Sequence, residues 1–173
     1  MRDASVIADE RQRVIAEAHQ WEGTPFHHCA AIKGVGIDCT NLLRSSFATI
    51  RPEMAPVKYL PQWHMNEGVD GEFHELLMEG LIERGLVEIS DGLADVEPFD
   101  KGHFIEAEKG PGDIIVVRLA RTYAHGAVIA DWPQVIQAEC APYGRDMAVL
   151  ASVEANWYFT ARPVKFFSLA DWH

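Results

Sequence analysis

Apolar positions recur with a helical period at the start of the chain. Over residues 4–21, Ile7, Val14, Ala18 and Trp21 share a face with Arg11, Ile15 lies beside them, and charges fill the other side; this predicts a helix. The stretch "EGTPF" (22–26) ends it, because Gly23 breaks the pattern and Pro25 drives Thr24 to an extended conformation. After a loop with Gly34 and Gly36, residues 39–50 carry Leu42, Leu43, Phe47 and Ile50 at helical spacing, and Pro52 and Pro56 close this second helix. A third helix is predicted over 72–84, stopped by Gly85, with a short strand at 87–89. From residue 110 the pattern changes. "GPGDIIVVRL" is a Pro-Gly turn followed by a β-branched run, and "AHGAVIA" (124–130), "VIQAEC" (135–140), "DMAVLASV" and "YFTARPVKFF" read as further strands. Helices come first and strands second, with short turns between strands. That order predicts an α+β fold in which helices pack on a mostly antiparallel sheet. Residues 1–173 are expected to form a single domain, with a less regular, acidic embellishment at about 57–110.

Composition narrows the partners. The net charge is −11 and no basic patch stands out, so nucleic acid is not an expected partner. No apolar run approaches the ~18 residues that span a bilayer, so no membrane contact is expected either. The first residues lack the apolar core and cleavage site of a secretory signal, which predicts synthesis in the cytoplasm without an export signal. Three cysteines, at 29, 39 and 140, are too few and odd in number for a disulfide framework.

One of them occupies a chemically special place. In "GVGIDCTNLLRSSF" (34–47), Cys39 falls where loop becomes helix. The unpaired amides and partial positive charge of a helix N-terminus stabilise a thiolate, and the same amides can hold an oxyanion. Asp38 is placed to cap the helix, and its carboxylate works against a low thiol pKa. A buried free cysteine is also an ordinary core residue. A nucleophilic thiol needs a base and a group to orient the base. His125 opens the strand "HGAVIA", and Gln137 on the next strand can lie near it, its amide oxygen accepting the imidazole N–H. The plain alternatives are a capping histidine and a solvated glutamine.

Four landmarks in order, "GTPFHHCAAIKGVGIDCTNLLRSSF", "GPGDIIVV", "AHGAVI" and "VIQAE", make residues 8–140 resemble the NlpC/p60 group of papain-like cysteine peptidases, in particular the short form encoded by phages and phage-like elements. The resemblance implies a papain-like fold with the nucleophile at a helix N-terminus. It implies Cys39, His125 and Gln137 as the catalytic set, no cofactor, and hydrolysis of an amide bond in peptidoglycan stem peptides, often D-glutamyl–diaminoacid. Phage forms are associated with the tail tip, which implies phage tail proteins as partners and the virion tail as a location. Phe26, His27, His28, Asp38 and Thr40 are the expected substrate-binding residues. Two departures bear on substrate choice. Phe26 stands where the family often has a tyrosine whose hydroxyl faces the site. Thr40-Asn41 replaces a small residue followed by glycine, so a bulkier Asn41 is expected to narrow access to Cys39.

Other clusters weigh less. Adjacent His27 and His28 point to different sides, and no second Cys/His pair has zinc spacing, so no metal is expected. One of these histidines is expected to line the cleft and the other to face solvent. Cys29, Cys140, Met65 and Met78 are read as packed residues, and His64, His74 and His103 as surface ones. Two other functions fit the same residues: a tail-tip assembly protein that keeps the peptidase fold with little turnover, and an acyltransferase that passes the same thioester to a second nucleophile.

Overall fold

A computed structural model describes residues 2–59, 74–90, 109–119, 121–139, 149–154, 159 and 162–173. Helix α1 (Ala4–His19) starts at Asp3, whose carboxylate accepts the Ser5 amide at 2.8 Å. It buries Val14, Ile15 and Ala18. A two-stranded ribbon follows, β1 (Ala31–Ile32) against β2 (Gly36–Ile37). Helix α2 (Cys39–Ala48) begins directly after it, and a short 3-10 turn covers Pro52–Met54. Helix α3 (Leu76–Ile82) ends before Gly85, whose φ of +85° suits glycine.

The main sheet contains β3 (Leu86–Glu88), β4 (Ile114–Leu119), β5 (Thr122–Asp131), β6 (Gln134–Ala138), β7 (Val149–Glu154) and β8 (Val164–Leu169). Their spatial order is β3-β8-β4-β5-β6-β7, and every pairing is antiparallel. The predicted helix and strand inside 57–110 are thus α3 and β3, and β3 belongs to the main sheet because it pairs with β8. His64, Met65, His103 and Cys140 lie outside the described residues.

Both faces of the sheet are covered. Ile114 and Val116 of β4 pack with Val14, Leu42, Leu43 and Phe47 of the helices. Ile115 and Val117, pointing the other way, join Ala127, Ile129, Phe159 and Phe166. This explains why β4 reads as a continuous apolar run rather than an alternating one. Asp113 anchors the start of β4. Completely buried, it accepts Arg11 Nη1 at 2.9 Å, Ser168 Oγ at 2.7 Å and the Gly110 amide at 2.7 Å, tying α1, β4 and β8 together.

Candidate active site

Asp38 is the extended residue before α2, and its Oδ1 accepts the Asn41 amide at 2.8 Å. The Leu42 amide reaches the Asp38 carbonyl at 2.8 Å, opening the helical ladder. The Thr40 amide and hydroxyl both reach the Cys39 sulfur, so this first turn directs N–H and O–H groups at the thiol. Cys39 is therefore the first residue of a capped helix, half-buried at the wall of a cleft of about 400 Å³.

Two features of β5 bring it to this helix. Gly126 is a tight approach: a Cβ there would stand 2.9 Å from Leu43 Cδ1 and 3.3 Å from the Ile115 carbonyl oxygen, so glycine lets α2 lie close to the strand without displacing Leu43. Next to it the β4–β5 register slips. Val117 faces His125 and Arg118 faces Tyr123, leaving Ala124 as the extra residue of a bulge. The Ala124 carbonyl lies 3.9 Å from Cys39 Sγ, and the Gly126 amide also reaches the sulfur. The thiol thus touches the backbone on either side of His125. His125 lies inside β5, not at its start as expected, because the pairing continues through Tyr123 and Thr122.

His125 lines the same cleft as Cys39 and is only 7% exposed. Its Nε2 lies 3.0 Å from Gln137 Oε1, and Gln137 is itself buried. An amide oxygen only accepts, so this bond places the proton on Nε2 and the lone pair on Nδ1. The ring also lies 5.8 Å from Phe159.

Two opposing influences act on the thiol, the helix N-terminus and the Asp38 carboxylate, and burial sides with the second. Burial, followed by the Asp38 charge, pushes the Cys39 thiol up to about 12, although the Gly126 amide and the Thr40 hydroxyl and amide pull the other way. The cap residue that forms the helix N-terminus also offsets its field. Burial lowers the His125 pKa below its ordinary value, opposed by the Gln137 bond. At neutral pH the resting pair is a thiol and a neutral imidazole, not an ion pair.

Of the expected substrate-binding residues, Phe26, His28, Asp38 and Thr40 line the cleft, with the His28 ring edge-on to Phe26 at 5.0 Å. His27 does not. It is exposed and packs over Gly36, where an added Cβ would come within 2.8 Å of its ring. Asn41 does not narrow the cleft either. It is fully buried, and its amide reaches away to the Ala30 carbonyl and to both backbone polar groups of Val57. Cys29, with φ of +59°, lies between loop and cap: its amide donates to Asp38 Oδ2 at 2.5 Å and its thiol to the Tyr59 carbonyl at 3.3 Å. Among the described residues no three His, Cys, Asp or Glu side chains gather as a metal site.

Sequence reasoning missed Tyr59, whose hydroxyl donates to Asp38 Oδ2 at 2.5 Å in the cleft wall. Burial and the Asp38 charge raise its pKa, so the phenol keeps its proton. No local signal marks it, since a tyrosine after a lysine in a proline-rich connector has no period to read. The cleft is also lined by Leu76, Leu77 and Leu81 of α3, inside the segment 57–110, together with Leu119.

No family model matches this chain, and no curated protein does. Among solved structures, the chain is similar to the NlpC/p60 domain of the peptidoglycan hydrolase SagA, with a TM-score of 0.50 and 17% identity over 90% of this chain and 96% of that one. At that identity the likeness speaks for the fold. With helices on one face of an antiparallel sheet, the chain has the papain-like α+β fold of NlpC/p60 domains.

Proposed function

We propose that this protein is a cysteine peptidase or amidase of the NlpC/p60 type, hydrolysing an amide bond in bacterial peptidoglycan stem peptides. The observation that carries the reading is the shared cleft: Cys39 at a helix N-terminus and His125, oriented by Gln137, open onto one space. The fold shared with a domain of a peptidoglycan hydrolase supports it.

Cys39 Sγ attacks the amide carbonyl carbon while His125 Nδ1 takes the thiol proton. Because the resting pair is neutral, proton transfer accompanies attack, as for a hydroxyl nucleophile. The tetrahedral oxyanion forms next to the Cys39 and Thr40 amides. The C–N bond breaks, the imidazolium protonates the leaving amine, and a thioester remains on Cys39. Water, deprotonated by His125, attacks the thioester; the acid leaves and the thiol is restored. A D-glutamyl–diaminoacid bond and delivery by a phage tail belong to the same proposal.

The raised thiol pKa favours a second reading, a tail-tip assembly protein that keeps the fold with little turnover. Purified peptidoglycan separates the two. New free amines should appear with the wild type and fall to background with Cys39→Ala. Equal release by both proteins removes the peptidase reading; none from a folded wild type favours the scaffold.

A further inference from the structure

Along α2 and its cap, polar residues recur every third position: Asp38, Asn41 and Arg44, all buried. Positions three apart share a helix face, so these side chains point the same way. All three hold one stretch of chain, residues 53–59. Arg44 donates to the Ala55 carbonyl from Nε at 2.9 Å and Nη2 at 2.5 Å, and to the Glu53 carbonyl at 3.3 Å. Asn41 Oδ1 accepts the Val57 amide at 3.0 Å and Nδ2 donates to the Val57 carbonyl at 3.2 Å. The stretch ends at Tyr59, whose phenol meets Asp38.

Asp38 thereby receives three donors: the Asn41 amide on Oδ1, and the Cys29 amide and Tyr59 hydroxyl on Oδ2. Its carboxylate precedes the nucleophile in sequence and opposes a thiolate. A hydrogen bond to an ionised acceptor is strong and draws charge from it. We propose that Tyr59 is a positioning residue of the thiol site, delivered by the Asn41–Val57 clamp, whose phenol fixes the Asp38 carboxylate and weakens its repulsion of a developing Cys39 thiolate.

The proposal rests on the reading of Cys39 as the nucleophile. Other titratable and charged groups face the same cleft: His28 from the loop, Arg44 from α2, His125 from β5, Glu139 just past β6, and Glu79, Glu83 and Arg84 from α3 and the turn after it. Cys29 adjoins Asp38 through its amide. None of these is altered in the variants below, so their fields are common to every comparison.

Iodoacetamide labelling, read by mass spectrometry on the Cys39 peptide at several pH values, reports the thiol without requiring turnover. Below the thiol midpoint the rate climbs with pH. Tyr59→Phe should lower that whole line about three- to tenfold, equivalent to an upward pKa shift of up to about one unit. Asn41→Ala should act in the same direction, and the double variant should be no slower than the slower single one, since both act through one contact. An unchanged line for folded Tyr59→Phe overturns the proposal, as do multiplying effects. Lost hydrolysis with unchanged labelling would make Tyr59 a substrate contact instead. If Tyr59→Phe does not fold, Asn41→Ala decides alone, and its unchanged line is the overturning result. A chain that never hydrolyses but labels as predicted sinks the hydrolase reading only.

Discussion

At the scale of single residues, two opposite pKa shifts meet in one cleft. His125 is buried and neutral, while the Cys39 thiol is held protonated up to about 12. Attack by such a pair needs the unprotonated imidazole and not a preformed thiolate. The pH dependence follows in sign. Activity should rise as His125 loses its proton, with a midpoint below the free value of ~6.5, and then stay level to about pH 9. The profile of kcat/KM checks this; a rising limb centred above pH 7 would contradict the buried neutral base. Asp38, Cys39, His125 and Gln137 could be picked from the chain because each stands at a recognisable junction or strand position. The sign of the thiol shift could not be read, because it depends on how deeply the cleft wall buries the sulfur. Asn41 was misread for a related reason: its size was visible, but its partner Val57 lies across a turn whose path the sequence does not show.

Elements set the spacing that these side chains need. Helix α2 rests on β5 at Gly126, and the Ala124 bulge turns a carbonyl toward the thiol. Gly126→Ala should push Leu43 and the Ile115 backbone away, costing about 1–3 kcal/mol in stability. Because Gly126 adjoins His125 and its amide reaches the Cys39 sulfur, hydrolysis should fall more than stability explains. Thermal melting and turnover measured together check it; a variant with wild-type melting and rate would show that the contact tolerates a methyl group. The helices, β4 and β6 were readable from their periods and turn residues, within a few positions at their ends. The bulge was not, because "TYAHGAVIA" alternates no differently for having one unpaired residue.

For the whole molecule, the two ends of the chain close on each other. Glu10 of α1 accepts both guanidinium nitrogens of Arg2, at 2.7 and 2.9 Å, and Trp172 Nε1 at 2.8 Å, while Asp171 accepts Arg2 and Arg51 at 2.8 and 2.7 Å. Chiefly through Arg2, the Glu10 carboxyl is lowered to about 2. A depressed carboxyl contributes stability that is complete above its unfolded pKa of ~4.3 and is lost as pH falls through the folded value. Glu10→Gln should therefore lower stability at pH 7 by about 1–3 kcal/mol, and the gap to wild type should narrow toward pH 2. Melting curves at both pH values check it; a pH-independent gap would mean lost packing instead. The class, helices first and an antiparallel sheet after, followed from chain order. The strand order did not: β8 pairs with both β3 and β4, contacts between distant segments that no local pattern encodes.

The proposed hydrolysis requires a covalent bond between the Cys39 sulfur and a substrate acyl group. Intact and peptide mass spectra of protein mixed with a γ-glutamyl stem peptide and quenched in acid test it most directly. An acyl adduct should appear on the Cys39 peptide before product and be absent from Cys39→Ala. Product formed with no adduct at Cys39, or formed equally by Cys39→Ala, would contradict it.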